Sequence, residues 1–548
     1  MRRFRWPLLI LSASLIGVAL GVGLWTTWMR PPSHLPKPLP VPEGDQEIAW
    51  LNNTSAGETW SLFVIGVKRT EMPVNGAASG LSVDDSNAFP EQSTAIPELV
   101  IAREGYAGKL RIRWYKVATE ATIEGWVKAL AARDPAPLAI IGGWTSDWAH
   151  KLALARDAQA AWRGDRPLLL ITTATVDTVL GRPDESGGFP RVSDQKNLID
   201  VYPGRSFRFC FSNSQMARAV SDYVLHDPTL RPGPVNWPGL RAVGFAASGP
   251  WTVLPSLAGL AHRPAVFPLQ WQDDPYSGDL YNQFREYLFE SLSERGGGIT
   301  PRIIGDPAFS IPFSVGGFSR TNAGEAAAVR EILNDLPPPG ERSLLVIPTG
   351  SSAPARRVLL ALAERVPQAG RRLVAVTGDG FSVNTFYRDA EWAWPARSIP
   401  IPVVLFAHHN PFGWDAPSDT RPPRGYRLEP KTTTEDVFLD SNLARMLADA
   451  AFPSGTNGER RIAARADEVA ERLRMRADKF FDDRGNRRGR SGEHVAVVRP
   501  TQRYGDAAPG TSRPESTVEV FRREDDGRTW TKVGVVQVRP ETDERSAE

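Results

Sequence analysis

The sequence predicts an α/β protein built on parallel sheets that helices cover on both faces. Short runs made only of apolar residues, at 138–141 and 168–171, alternate with a helical pattern over 148–162. Such strands are typical of parallel sheets buried on both faces, because the crossover helices cover the sheet. The length of 548 residues predicts more than one domain of this kind.

Small hydroxyl residues follow both of these strands, and glycines follow the first. The first strand leads into 142–147 (GGWTSD) and the second into 172–175 (TTAT). Ligands of open α/β sheets bind at the carboxyl ends of the strands. We therefore expect a ligand site at this edge, where the polypeptide backbone is accessible.

The remaining elements follow from apolar runs and helical spacing. The alternation of apolar and basic residues in 110–115 predicts a strand near a sheet edge, and the Gly, Ser, Asn and Pro content of 70–97 predicts a long surface loop. A terminal hairpin is expected from 495–498 and 518–521. Further strands are expected at 47–51, 242–246, 266–271, 343–347, 372–376 and 401–406, and helices at 58–69, 123–132, 253–260, 281–295, 353–366 and 436–452.

The N-terminus predicts a membrane anchor. Residues 6–29 form a stretch of 24 residues without a charge, and as a helix they would be about 36 Å long, enough to cross a bilayer. Arg2, Arg3 and Arg5 precede the stretch and place the rest of the chain outside the cytoplasm. A cleaved signal peptide is the alternative, although no Ala-x-Ala site follows. The prolines of 31–42 predict a stiff stalk.

Composition and motifs argue against several function classes. The net charge of +2 gives no sign of the concentrated basic surface that nucleic-acid binding needs. The single Cys210 cannot form an internal disulfide and is expected in the core. The sequence has no Gly-x-Ser-x-Gly, Walker A, His-Glu-x-x-His or Cys-x-x-Cys motif, so we predict no enzyme activity, catalytic residue, cofactor or metal. Adjacent His408 and His409 would point to opposite faces of a strand and could not share an ion.

Three segments together resemble a known family. The patterns IIGGWTS (140–146), LLLITTAT (168–175) and FRFCFSNSQMARAVSDYV (207–224) are similar, in order and spacing, to type I periplasmic solute-binding proteins of the leucine/isoleucine/valine-binding branch. The resemblance covers residues 46–540. It implies two Rossmann-like lobes joined by a hinge of three crossovers, with amino acids or related molecules bound in the cleft. Asn486 departs from the acidic residue that ends the family's F-D-x-x-G-D turn.

The resemblance also implies a division of the chain. The expected parts are a basic tip and anchor (1–30), a proline-rich stalk (31–45), lobe 1 (46–206 and 396–478), lobe 2 with an insertion near 227–264 (207–395), a C-terminal hairpin returning to the hinge and lobe 2 (479–540) and a disordered tail (541–548).

Five positions match the family's ligand contacts. By resemblance, Ser146, Thr173 and Thr175 would hold a ligand carboxylate, Tyr276 would lie against the ligand, and Asp379 would pair with an ammonium group. Helix capping is the alternative role for the serine and threonines, and an exposed turn is the alternative for Asp379. Asp147 would repel a carboxylate unless it points away, and Trp251 is a second choice for the aromatic contact.

The resulting expectation is a membrane-anchored, extracytoplasmic solute-binding protein that serves transport or sensing. Its partners would be a small amino-acid-like ligand, the membrane and an ABC permease or signalling protein, without nucleic acid. The alternative is a sensor or scaffold of the same fold that binds a protein partner and whose cleft is filled by Trp144 or Trp251. A hydrolase that uses the same cleft ranks last.

Overall fold

The computed structural model describes two α/β lobes. The described residues are 36–72, 79–118, 122–180, 195–234, 265–271, 274–295, 302–303, 309–311, 321–380, 383, 399–411, 434–453, 461–463, 465–476, 478–489, 492–500 and 516–538. The predicted anchor, most of the insertion near 227–264, Trp251 and the tail lie outside them. Within the described ranges, no helix has both the length and the apolar character that crossing a bilayer requires.

The first lobe is a mixed sheet with helices on both faces. Its strand order is β2-β3-β4-β1-β5-β6-β9, in which β4, β1, β5, β6 and β9 are parallel and β2 and β3 are antiparallel. Two buried clusters cover the two faces of this sheet. Its elements are β1 (Gln46–Asn53), α1 (Gly57–Lys68), β2 (Leu81–Asp84), β3 (Glu98–Arg103), β4 (Leu110–Val117), α2 (Ile123–Ala131), β5 (Ala139–Gly142), α3 (Ser146–Ala158), β6 (Leu168–Ile171), the hairpin β7 (Thr178–Leu180) and β8 (Gln195–Asn197), and β9 (Ser206–Arg208).

The second lobe has its own sheet, with the strand path β12-β11-β14-β15-β16-β17-β18-β19 and with β10 and β13 beside it. Strands β11, β14, β15 and β16 are parallel, and the last three are antiparallel. The elements are α4 (Asn213–His226), β10 (Gly233–Pro234), β11 (Ala265–Trp271), α5 (Pro275–Arg295), β12 (Arg302–Ile303), β13 (Phe309–Ile311), α6 (Ala323–Asp335), β14 (Glu341–Val346), α7 (Ser352–Arg365), α8 (Ala369–Arg372), β15 (Leu373–Val376), β16 (Val403–Ala407), β17 (His494–Pro500), β18 (Ser516–Arg523) and β19 (Trp530–Val538).

The chain passes between the lobes three times. It first crosses from β9 to α4, and after β16 it returns to α9 (Thr434–Ala451) and α10 (Ala466–Arg474), whose buried side chains belong to a first-lobe core. It then crosses again to β17 through a turn at 480–487. The two α/β lobes and three crossovers implied by the resemblance are therefore present in the described chain.

Strand β4 is not near a sheet edge, contrary to the sequence expectation. It lies between β3 and β1, and its basic residues are neutralised by acids on the neighbouring strands. Arg113 contacts Glu47 at 2.7 Å and Glu98 at 2.5 Å, and Arg111 contacts Glu98 at 2.8 Å. A buried arginine is tolerated when it is paired in this way, so alternation with basic residues does not identify an edge here.

Three further expectations are corrected. The segment expected to begin the return to lobe 1 at 396 contains β16, which is hydrogen bonded between β15 and β17, so the return comes after Ala407. The loop predicted at 70–97 contains β2, which pairs with β3. The helix predicted at 281–295 begins at Pro275, which places Tyr276 in its first turn instead of in a turn before it.

Candidate ligand-binding site between the lobes

A cavity of about 580 Å³ lies between the two lobes. The first lobe lines it with residues of β1, α1, the segments after β5 and β6, and α9. The second lobe lines it with the start of α5 and the segments after β14 and β15. The cavity therefore opens where the parallel strands of both sheets end, which is the edge that the sequence indicated.

The structure brings all five sequence-predicted contact residues to the wall of this cavity. Ser146 is the first residue of α3, and Thr145 caps the helix by accepting the N–H of Trp148 at 3.3 Å. The N–H groups of a first helical turn have no intrahelical partner and favour a negatively charged group. The five residues on the wall are Ser146, Thr173, Thr175, Tyr276 and Asp379.

The two threonines after β6 differ in what they offer a ligand. The N–H of Thr173 donates to the carbonyl of Gly143 at 3.2 Å, and its hydroxyl donates to the carbonyl of Trp144 at 3.1 Å. Thr173 therefore joins the two strand ends, and both of its donors are used within the protein. Thr175 is 1% exposed, and its carbonyl accepts the N–H of Asn213 at 2.7 Å.

Asp379 follows β15 and is held through both carboxylate oxygens. Its Oδ1 accepts the phenol of Tyr276 at 2.8 Å, and its Oδ2 lies 2.7 Å from Nε2 of His408. A Cβ at Gly378 would lie 2.6 Å from the Tyr276 hydroxyl oxygen, so the flanking glycine permits this close approach. The Asp379 side chain stays 16% exposed and lines the cavity, where it can meet a cation.

His408 is fixed by hydrogen bonds on both sides of its ring. The N–H of Phe211 points at Nδ1 across 3.2 Å, so Nδ1 is an acceptor and carries no proton. This hydrogen-bond pattern assigns the ring proton to Nε2, which donates to Asp379. Because Phe211 lies in the first crossover, this ring connects the cavity wall to the hinge.

Tyr276 donates to Asp379 as a protonated phenol. Burial, followed by the negative charge of Asp379, raises the pKa of Tyr276 well above its ordinary value. Its ring packs against core clusters of both lobes. The helix that carries it begins at Pro275. The carboxylate of the preceding Asp274 caps this helix by accepting the Tyr276 N–H at 3.1 Å.

Glu435 lies behind His408, at the start of α9. Its Oε2 accepts the backbone N–H of His408 at 3.1 Å, while its Oε1 is buried without a partner among the described residues. Burial raises the pKa of Glu435 to about 8, and the negative charges of Asp436 and Asp379 act in the same direction. At neutral pH this carboxyl group is therefore mostly protonated.

Carboxylates dominate the charge of the cavity wall. No lysine, arginine or histidine occurs among the described residues that line it. Burial raises the pKa of Asp440 well above its ordinary value, and burial also raises the pKa of Asp274. A wall of this kind attracts a cationic ligand and repels a simple anion. The carboxylates on the wall are Asp147, Asp274, Asp379, Asp436 and Asp440.

The predicted repulsion by Asp147 applies to this cavity. Asp147 is exposed in the first turn of α3, beside Ser146, and it lines the cavity wall. Its charge contributes to the raised pKa of Asp274 across the cleft. A ligand carboxylate at α3 would therefore be attracted by the helix N-terminus and repelled by Asp147. A cationic group elsewhere on the ligand is needed to balance the site.

A glycine turn forms the third crossover. Asp482 Oδ1 accepts the N–H groups of Arg484, Gly485 and Asn486 at 3.0, 2.9 and 2.9 Å, which closes the turn. The Asn486 side chain also donates to Asp482 at 3.4 Å, so the departure from the family's acidic residue leaves the turn intact. Arg487 stacks over Phe211, with 3.7 Å from its Cζ to the ring centroid.

Several site residues escaped the sequence analysis. His408 was considered only as a metal ligand shared with His409, and Asp436 and Asp440 were placed only on a helix. The spacing of four residues between the two aspartates was a usable signal, because it sets both acids on one helical face. Among the described residues, no three His, Cys, Asp or Glu side chains converge in a way that could hold a metal ion.

The chain is similar to several proteins of known structure. No protein-family model and no curated protein matches the chain. An ABC transporter substrate-binding protein from Desulfitobacterium hafniense is 14% identical with a TM-score of 0.41, and the match covers 89% of this chain and 98% of that one. The chain resembles ABC-transporter substrate-binding proteins. The sequence patterns indicated the same class of protein. The two-lobed α/β fold is assigned from the strand order and the crossovers.

Two further similar structures are of proteins named for, or solved with, a small-molecule ligand. The leucine-, isoleucine-, valine-, threonine- and alanine-binding protein of Brucella ovis, in a closed conformation, is 12% identical with a TM-score of 0.42 over 90% of this chain and 95% of that one. A solute-binding protein of R. palustris in complex with benzoate is 11% identical with a TM-score of 0.40, and the match covers 91% of this chain and 98% of that one.

Proposed function

We propose that this protein is a receptor that captures a small solute, an amino acid or a related compound, between its lobes for transport or sensing. The observation that carries the proposal is the cavity of about 580 Å³ at the strand ends of both lobes. Its size falls within the roughly 300–1,000 Å³ of typical small-molecule sites. Both lobes contribute polar groups to its wall, so a bound solute would favour closure.

The polar groups suggest how an amino acid would be held. Its ammonium group would pair with Asp379, which Tyr276 and His408 orient through hydrogen bonds of 2.8 and 2.7 Å. Its carboxylate would lie at the N-terminus of α3, near Ser146, where the helix dipole favours a negative charge. Thr173 and Thr175 would shape this end of the site, and the two donors of Thr173 stay bound to the carbonyls of Gly143 and Trp144.

The His408–Asp379 pair favours binding over catalysis. A histidine that acts as a general base needs a ring nitrogen free to accept a proton from a nucleophile. In His408, Nδ1 accepts from Phe211 and Nε2 donates to Asp379, so neither nitrogen is free. We therefore assign the pair to ligand binding and hinge coupling.

A scaffold with a filled cleft is the competing function. It requires an aromatic side chain, such as Trp144, to occupy the space between the lobes. Trp144 is 37% exposed and lines the wall while the cavity stays open. The open cavity therefore favours the receptor. We further propose that residues 6–29 anchor it with both lobes outside the cytoplasm, so that it can serve an ABC permease or a signalling partner.

Thermal unfolding of the full-length protein tests the receptor function. The panel comprises the twenty amino acids, short peptides, amides, aromatic acids and nucleosides. A ligand at a hundredfold excess over its dissociation constant stabilises the folded state by about 2.7 kcal/mol, which is seen as a higher midpoint. Asp379→Asn should weaken the response, whereas Asp483→Asn, at a fully exposed aspartate, should keep it. A flat response to the whole panel would favour the scaffold.

A further inference from the structure

A buried carboxyl group on α9 faces the cavity without a partner. Asp440 is 7% exposed, lines the cavity wall, and has no hydrogen-bond or salt-bridge partner among the described residues. A buried polar group that lacks a partner destabilises a folded protein. An unpaired acid in a ligand cavity therefore suggests that the ligand supplies the missing partner.

The side chain of Asp440 is held in place by tight packing against α1. A Cβ at Gly66 would lie 2.7 Å from the Cβ of Asp440 and 2.9 Å from the carbonyl oxygen of Val437, so only glycine allows the two helices to approach this closely. Asp440 therefore has little room to move away from the cavity. Asp436 lies one turn earlier on the same helical face and also lines the cavity.

The surroundings suit an aliphatic chain that ends in a cation. Helix α1 contributes Thr59, Leu62 and Phe63 to this part of the wall, and none of them titrates. Trp50 packs against Phe63 with ring centroids 5.8 Å apart. An apolar wall that leads to a pair of acids matches the methylene stem and charged head of a basic side chain.

We propose that the ligand carries a second cationic group, an ammonium or a guanidinium, which Asp440 binds with Asp436 beside it. This inference rests on the proposed solute-binding function and narrows it to a basic amino acid or a related diamine. Two cationic groups, one at Asp379 and one at Asp440, balance the five carboxylates of the wall better than a neutral amino acid would. The cost of burying the charge of Asp440 is offset when a cation arrives, since a paired charge is tolerated where an isolated one is not.

Isothermal titration of the full-length protein with matched probe pairs tests the proposal. L-Ornithine, L-lysine and L-arginine are compared with L-norvaline, L-norleucine and L-citrulline, which lack the distal cation but keep a similar shape. We expect at least one basic probe to bind about 10–100-fold more tightly than its neutral counterpart, the range for a hydrogen bond to a charged group. Equal or tighter binding of the neutral member in every pair would overturn the proposal and leave the receptor function intact.

Two variants assign the preference to Asp440. Asp440→Asn should reduce the preference for the basic probe about 10–100-fold while binding of the neutral probe is retained, and Asp436→Asn should reduce it less. Asp483→Asn is the charge-matched control and should leave the preference unchanged. Circular dichroism verifies folding, and a preference that persists in Asp440→Asn would refute the assignment. If no probe binds and no other solute raises the unfolding midpoint, the receptor function fails together with this inference.

Discussion

The carboxylate of Asp279, in the second lobe, accepts the backbone N–H of Asp177, in the first lobe, at 2.9 Å. It also accepts the N–H of Thr178 at 3.2 Å and the side-chain amide of Asn213 at 2.8 Å. One buried carboxylate thus joins the start of α5 to the segment after β6 and to the first crossover. We therefore expect this group to help set the angle between the lobes.

Asp279→Asn should loosen the contact between the lobes. An asparagine keeps one acceptor oxygen but turns its amide donor toward the N–H groups, so we expect the loss of about 1–3 kcal/mol of stability. Denaturant unfolding measures the loss, and small-angle scattering should show a larger radius of gyration. Glu286→Gln, at an exposed position on the same helix, is the control. An unchanged radius would mean that other contacts set the angle.

Glu435 should make stability depend on pH. Its pKa is about 8 in the folded protein, against an ordinary value of 4.5. Between about pH 4.5 and pH 8 the unfolded chain has released this proton while the folded protein still holds it. The stabilisation that is fully present below about pH 4.5 is therefore lost as pH rises to and through 8. The loss is on the order of 1.4 kcal/mol for each unit of pKa difference.

Glu435→Gln isolates this effect. The variant keeps an acceptor for the N–H of His408 but cannot ionise, so the wild type should lose more stability than the variant between pH 5 and pH 8. Urea unfolding at the two pH values measures the difference. Glu471→Gln, at an exposed glutamate, should behave as the wild type does. Parallel pH curves for wild type and Glu435→Gln would show that Glu435 ionises normally.

The hinge turn should require glycine at position 485. Gly485 has a φ of +101°, and a Cβ there would overlap the carbonyl oxygen of Ser206. Gly485→Ala combines backbone strain with this clash and should cost more than about 1–3 kcal/mol. Gly164→Ala is the matched control, because Gly164 has a φ of +109° and open space around its Cβ position. Equal losses in the two variants would exclude the clash.

The sequence was sufficient to predict the parts of the fold that depend on local apolar patterns. Strands β5, β6, β14 and β15 contain short apolar runs, and each is found within about two residues of its predicted position. Parallel strands of one sheet present their carboxyl ends at one edge, so the ligand edge of the first lobe could be predicted without side-chain detail. That Ser146 and Asp379, from different lobes, meet at one cavity was implied by the family resemblance, and both line the cavity.

The rest depended on contacts between residues that are distant in the chain. His408 acquires its role from Asp379, 29 residues away, and from Phe211, 197 residues away. The predicted edge position of β4 was wrong because acids on β1 and β3, which the sequence does not align with it, neutralise its arginines. Asp440 looks like an ordinary polar residue of a helix until α9 packs on α1 and buries it. Pairing and burial of this kind are set by tertiary structure.

Asp379 and Tyr276 should contribute unequally to ligand affinity. Asp379→Asn removes the charge that would pair with a ligand ammonium, and we expect a loss of about 10–150-fold in affinity for the best ligand of the panel. Tyr276→Phe removes only the phenol that orients Asp379 at 2.8 Å, so the loss should be about 2–12-fold, as for a neutral hydrogen bond. Isothermal titration separates the two, and the double variant should lose little more than Asp379→Asn alone, because the phenol acts through the carboxylate. Additive losses would instead place the Tyr276 hydroxyl in direct contact with the ligand.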